Sequence, residues 1–221
     1  VITGGSVALG AADPGRRLRF VQRRLDADAQ RVRIWAWSWA GIYSSLVVIN
    51  GVRLIRSTKR GDIIDNTVAT AGSAFGLLVL SIMPPAVLRD EPKLARIVSR
   101  YGTDDDCVVL AAAEKILLRD AASEAFGKGP LVHAGNFAFN MALGVLIGAY
   151  FHRWTTAMIV APVAIAVGEL QTMTVVTHIR DTLALYREGQ LDSTTARSKP
   201  TWTLMPQLGR DQIGLGLGVK F

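Results

Sequence analysis

A single cysteine, Cys107, and three histidines are all that this 221-residue chain offers to soft metals or redox chemistry. One thiol excludes an intrachain disulfide and any cysteine-based metal cluster, and it leaves the compartment open. His133, His152 and His178 follow no HExxH or other paired-ligand spacing, so neither a metal nor haem is expected. The serines sit in no nucleophile elbow, and no base neighbours Cys107 in sequence. Gly127 to Pro130 (GKGP) lacks the glycine pattern of a phosphate loop and its trailing Ser or Thr. Asp104, Asp105 and Asp106 lack the ligand spacing of a calcium loop and read instead as a helix start. No catalytic residue, metal or cofactor is therefore assigned, and no enzyme activity is argued.

Charge is the other scarcity, and it is local. Residues 34–52, 66–88, 134–151 and 154–177 contain one ionisable carboxylate, Glu169, and no Lys or Arg. Each stretch is about long enough to cross a bilayer as a helix. Hydrophobic residues make up 50% of the chain and mean hydropathy is +0.28. The polar termini and the segment between the second and third stretches dilute the apolar runs. A soluble helical protein with an apolar core is the rival, and the absence of charge over four stretches argues against it. The expected fold is an all-α membrane protein. It is a four-span helical bundle with an amphipathic N-terminal helix and a short β-like C-terminal tail. The expected divisions are 1–33, a basic N-terminal segment; 34–187, the membrane domain; and 188–221, a polar linker and tail.

Net charge is +7, and the excess is concentrated. Arg16, Arg17, Arg19, Arg23, Arg24, Arg31 and Arg33 precede the first apolar stretch, and Arg53, Arg56, Lys59 and Arg60 follow it. No homeodomain, zinc-finger or aromatic nucleic-acid motif accompanies them, so the expected contact is anionic lipid headgroups and not nucleic acid. The two clusters flank opposite ends of one span, so they conflict as orientation signals. Four spans place both termini on one side. Val1 to Ala12 (VITGGSVALGAA) is small and apolar, and two readings stay open: a signal-peptide remnant or an unstructured terminus.

Asp13 and Pro14 form a helix start, a capping side chain followed by proline in the first turn. Leu18, Val21, Leu25 and Ala29 recur at helical spacing, and this helix is expected to run unbroken to about Ser57. Trp35, Trp37, Trp39, Tyr43 and Trp154 lie near span ends, where rings with a polar edge anchor at the headgroup level. Trp35 and Trp39 share a face and Trp37 points elsewhere. Asp62 and Asp65 are expected in the first turn of the second span, which Pro84 and Pro85 end. Gly72 and Gly76, and later Gly144 and Gly148, allow close helix approach.

A short helix is expected over 92–101, and a peripheral one over about 104–126. On the latter Val109, Ala112, Ala113, Ile116 and Leu117 make the apolar face. Glu114, Lys115, Arg119, Asp120 and Glu124 are expected outside it. Gly127, Gly129 and Pro130 break the chain before the third span. The short turn after it makes spans three and four an antiparallel pair, and span four is expected to continue helically through Arg180, Asp181 and Tyr186. In the tail, Ile213, Leu215, Leu217, Val219 and Phe221 alternate with Gly214, Gly216, Gly218 and Lys220, a strand pattern. Trp202 and Leu204 are expected to begin a partner strand, with the turn at 206–209. A strand ending in phenylalanine resembles the last strand of bacterial outer-membrane barrels, although one strand cannot close a barrel. A bacterial inner membrane is the expected location, with the outer membrane as the alternative that Phe221 raises.

Glu169 is the sharpest single residue. A carboxylate in an apolar span should face the bundle interior or a cavity. His133, Asn136, Asn140 and Gln171 are its expected partners. The favoured reading is a hydrogen-bonded packing element, because no second buried acid or base completes a relay; the other is a proton or substrate relay. The expected function is a non-enzymatic envelope component or accessory subunit of a membrane assembly, with a protein partner or further copies of itself. The alternative is an oligomeric channel or transporter with a polar path near Glu169, Asn136 and Asn140.

Overall fold

The computed structural model describes residues 9–10, 12–101 and 106–192, and the backbone of 201–208 and 213–220. Readings of residues 1–8 and 11, of Asp104 and Asp105, of 193–200 and of Phe221 lie outside the described residues. Among the described residues, seven helices of eight or more residues follow one another: α1 Pro14–Arg56, α2 Arg60–Ile82, α3 Ala86–Tyr101, α4 Asp106–Gly127, α5 Pro130–Phe151, α6 Trp154–Met173 and α7 Ile179–Glu188. The backbone of β1 Thr201–Leu208 pairs antiparallel with β2 Ile213–Lys220, with Leu204 opposite Leu217. Pro206, expected in the turn, lies inside β1 opposite Leu215. Both strands of a two-stranded sheet are edges, where a residue without an N–H is tolerated.

The helix boundaries follow local chemistry. At the start of α1 the Arg16 N–H donates to Asp13 Oδ2 at 2.9 Å, a side-chain cap ahead of Pro14. α2 stops at Ile82, before Pro84 and Pro85. α3 then begins at Ala86 and not at Pro92, which lies inside it. Pro92 only removes one intrahelical donor, and the turns on either side hold the helix together. α5 starts on Pro130 and ends where His152 takes the left-handed conformation, φ 55°, with its N–H on the Ile147 carbonyl.

The continuous helix expected beyond span four is broken. α6 ends at Met173 and α7 begins at Ile179. Thr174 closes α6, with its N–H donating to the Leu170 carbonyl at 3.0 Å and its hydroxyl to the same oxygen at 2.7 Å. Val175, Val176 and Thr177 follow, a β-branched run that does not favour continued helix.

The chain divides into two compact units. The first comprises 1–28, 91–122 and 176–221. Its core is ordinary: Phe20, Val21, Leu25, Leu94, Val109, Ala113, Leu117, Ile179 and Tyr186 are buried. The apolar spacing read on α1 and α4 supplies most of these positions. One expectation is reversed here. Glu114 and Asp120 are 2% exposed each, not outside the packed face. For Glu114 the reason is on neighbouring elements: Arg17 and Tyr186 supply its partners within the core.

The second unit comprises 29–90 and 123–175. By length and composition, four helices can cross a membrane, and only 11–17% of the most apolar stretch of each is buried. Large apolar side chains such as Ile55, Phe137, Val145, Met158 and Ile159 are exposed. That pattern belongs to a chain whose solvent is hydrocarbon. The protein is a polytopic α-helical membrane protein.

Candidate functional site

His133, Asn136 and Asn140 of α5 meet Glu169 of α6 on the seam between the two helices. His133 lies one turn into α5, and Glu169 lies one turn before the end of α6. Antiparallel packing therefore brings them to the same end of the pair. His133 Nδ1 is 2.5 Å from Glu169 Oε2. The other carboxylate oxygen, Oε1, accepts from Asn136 Nδ2 at 2.8 Å. Asn136 Nδ2 also donates to the Ile165 carbonyl at 3.1 Å, so this asparagine ties α5 to the backbone of α6. Its Oδ1 accepts from Asn140 Nδ2 at 2.8 Å. The result is one continuous chain, Asn140 to Asn136 to Glu169 to His133. The side chains of His133 and Glu169 remain 35% and 25% exposed.

Beyond Asn140 the seam changes character. Gly144, Ile147 and Gly148 of α5 are buried, as are Ala157 and Ala161 of α6. A Cβ at Gly144 would come within 2.7 Å of Ala161 Cβ, and one at Gly148 would strike the Trp154 ring. This half of the seam is tightly packed by small and apolar side chains. By helix rise, Asn140 lies roughly 15 Å into α5, about the middle of a 30 Å hydrocarbon core. The polar chain enters from one end and stops near the midplane.

Gly168 makes the chain possible. A side chain there would collide with Asn136, yet sequence reasoning gave this residue no role. A glycine next to the one intramembrane carboxylate was the available signal. Gln171 is not brought to Glu169; its Oε1 accepts from the Tyr43 hydroxyl at 2.8 Å. Trp35 and Trp39 both donate their indole N–H to Thr174 Oγ1, at 3.1 and 3.2 Å. Trp39 and Tyr43 are buried, whereas Trp37 and Trp154 are 74% and 56% exposed. Gly76 lies against the Tyr43 ring, while nothing stands within 4 Å of a Cβ built on Gly72. At the other end of the spans Arg153 pairs with Asp65 and donates to Thr156 Oγ1 at 3.2 Å.

The first unit holds a separate ionic cluster. Arg17 Nε donates to the Tyr186 hydroxyl at 2.9 Å, a second Arg17 nitrogen bonds Glu114, and the Tyr186 hydroxyl donates to Glu114 Oε1 at 2.6 Å. Burial first, then the Glu114 carboxylate, push the Tyr186 phenol well above the ordinary tyrosine range. Burial opposes the charge on Arg17, but its bonds to Tyr186 and Glu114 outweigh that and raise its pKa. A closed, satisfied triad of this kind fixes packing; it leaves no side chain aimed at a ligand. His178 is 3.7 Å from Asp181 in the same unit. Among the described residues no three His, Cys, Asp or Glu side chains group as a metal site. No protein family, curated protein or solved structure matches the chain.

Proposed function

We propose that this protein is a non-enzymatic subunit of a bacterial envelope assembly, anchored in the inner membrane and engaging a protein partner or further copies of itself. The observation that carries this reading is the half-polar, half-dry seam between α5 and α6. A single chain then offers a packed helix pair and not an open path, as expected of a component whose work is association. The exposed apolar faces of all four spans accept lipid or partner helices equally well. Arg53, Arg56, Lys59 and Arg60 suit anionic headgroups at one membrane face. In this reading 1–33 forms a basic N-terminal segment, 34–187 the membrane domain and 188–221 a linker and strand-forming tail offered to a partner.

One observation favours a second reading, an oligomeric channel or transporter. His133 and Glu169 are partly exposed, and neighbouring copies could extend their polar chain into a path. Separated inner and outer membranes, extracted with carbonate and then detergent, test the anchoring. Retention in the inner membrane until detergent is added is expected. Affinity capture from the detergent extract, followed by native mass determination, tests the association. A stoichiometric unlike subunit or a defined multimer supports the assembly reading. A monomer with no bound protein ends it, and release by carbonate ends the spanning reading.

A further inference from the structure

The feature left unused by an assembly role is the chemistry of the polar half-seam. A carboxylate and an imidazole in direct contact can share a proton. A purely structural tie would be met by two amides, without the cost of ionisable groups in a span. Both oxygens of Glu169 are engaged, by His133 and by Asn136, so a change of charge on the pair is felt at the asparagine that ties α5 to the Ile165 carbonyl. The pair lies one turn from the ends of its helices, roughly 5 Å inside the apolar core, and its side chains are 35% and 25% exposed. The opposite half of the seam is closed by Gly144 against Ala161 and Gly148 against Trp154.

We infer that His133 and Glu169 form a proton-binding site open to one side of the membrane only, with Asn136 and Asn140 as its blind inner end. The ligand is a proton exchanged with the aqueous phase on the side where α5 begins. The proton loads as an imidazolium–carboxylate pair and leaves as the imidazole becomes neutral; no other bond changes. Because the seam is closed beyond Asn140, loading is a binding event and not transport. Its effect is on the α5–α6 pair, through Asn136. The site rests on α5 and α6 spanning a membrane; it does not require an assembly partner.

Few other ionisable groups lie on the elements around this pair. α5 adds Tyr150 at its far end, and α6 has no other titratable group. α2 has none from Asn66 to Ile82. α1 brings Tyr43, held by Gln171, and at its approach Arg31 and Arg33. The approach to α5 brings Glu124 and Lys128, which pair with each other at 2.7 Å.

The test uses the full chain, labelled with 15N-histidine, in phosphatidylcholine vesicles. Cys107 is exposed and is the single thiol of the chain. No span separates it from α5, so an impermeant maleimide reports which molecules have the start of α5 outward. Stepping the external pH from about 9 to about 5 across the imidazole range should shift the His133 signal in that same fraction of molecules. Glu169→Gln should move the His133 midpoint. His133→Gln identifies the signal, and monodispersity in detergent reports whether each variant is folded. A pH-sensitive dye inside the vesicles, with valinomycin and potassium, should show no proton flux above empty vesicles. Three results overturn the inference: a wild-type His133 signal that ignores pH, a folded Glu169→Gln protein with an unchanged midpoint, or sustained proton flux. None of them depends on whether a partner co-purifies, so failure here leaves the assembly reading standing.

Discussion

The two units of this chain place their side chains by opposite rules. In the first, Val21, Leu25, Val109 and Leu117 are fully buried, and charge enters the core with partners, as in the Arg17–Glu114–Tyr186 cluster. In the second, many large apolar side chains face outward, and several polar ones pair between helices: Glu169 with His133 and Asn136, Tyr43 with Gln171. One principle accounts for both. The side chains that meet the surroundings are those the surroundings solvate, water for one unit and hydrocarbon for the other. An interior polar group in the first unit is therefore an exception held by partners. In the second it is the means by which otherwise interchangeable apolar helices recognise one another.

The largest test of that contrast is Glu114→Ala. It removes the buried carboxylate that bonds both the half-buried Arg17 guanidinium and the Tyr186 hydroxyl, and stability should fall by about 3–5 kcal/mol. Urea unfolding of detergent-solubilised protein, followed by amide exchange on α4 and α7, should show the loss in the first unit. Unchanged protection there would break the claim that this core depends on its ionic cluster.

Tyr186→Phe removes a hydroxyl that donates to a charged acceptor, with an expected cost of about 1.5–3 kcal/mol. Its pH signature is more specific. The folded phenol has a pKa above the unfolded one. Above about pH 10 the unfolded state has lost a proton that the folded state keeps. The contribution is thus complete below about pH 10 and declines as pH rises further. Thermal melts from pH 8 to 11, a range spanning the ordinary phenol pKa of about 10, should show this alkaline loss in the wild type. It should be smaller in Tyr186→Phe.

In the second unit the sharpest comparison is between two glycines of the same kind of motif. Gly144→Ala puts a methyl into Ala161 and should cost about 1–3 kcal/mol. Gly72→Ala enters open space and should change stability by no more than about 0.5 kcal/mol. Equal effects would show that α5 and α6 are not packed as described. Between these two, Tyr43→Phe removes a hydrogen bond to Gln171 between neutral groups and should cost about 0.5–1.5 kcal/mol. Resistance to detergent-induced unfolding, ranked across these variants, checks all three.

Much of the architecture was legible because local chemistry marks it. Asp13 and Pro14 start a helix whatever surrounds them, Pro84 and Pro85 stop one, and charge-free stretches of bilayer length read as spans. The partners of Glu169 were half legible. His133 and Asn136 do reach it, whereas Gln171, two residues away on α6, turns to Tyr43. Nothing in the spacing decides between two neighbouring polar residues; the rotation of α6 against its neighbours does. Glu114 shows the same limit from the other direction. Its placement among Lys115, Arg119 and Glu124 reads as a solvated face, and it is buried because residues distant in the sequence converge on it.

Helix ends and the solvent of each segment are therefore properties of the chain's own composition, since capping, proline geometry and transfer free energy act over a few residues. Which polar groups meet, and that the seam is polar at His133 and apolar at Gly148, depended on how helices pack. Those contacts join residues up to 176 positions apart, as Arg16 and Asp192 are. Shape and rotation at that range are set by side-chain volumes on two surfaces at once, and no local rule contains both.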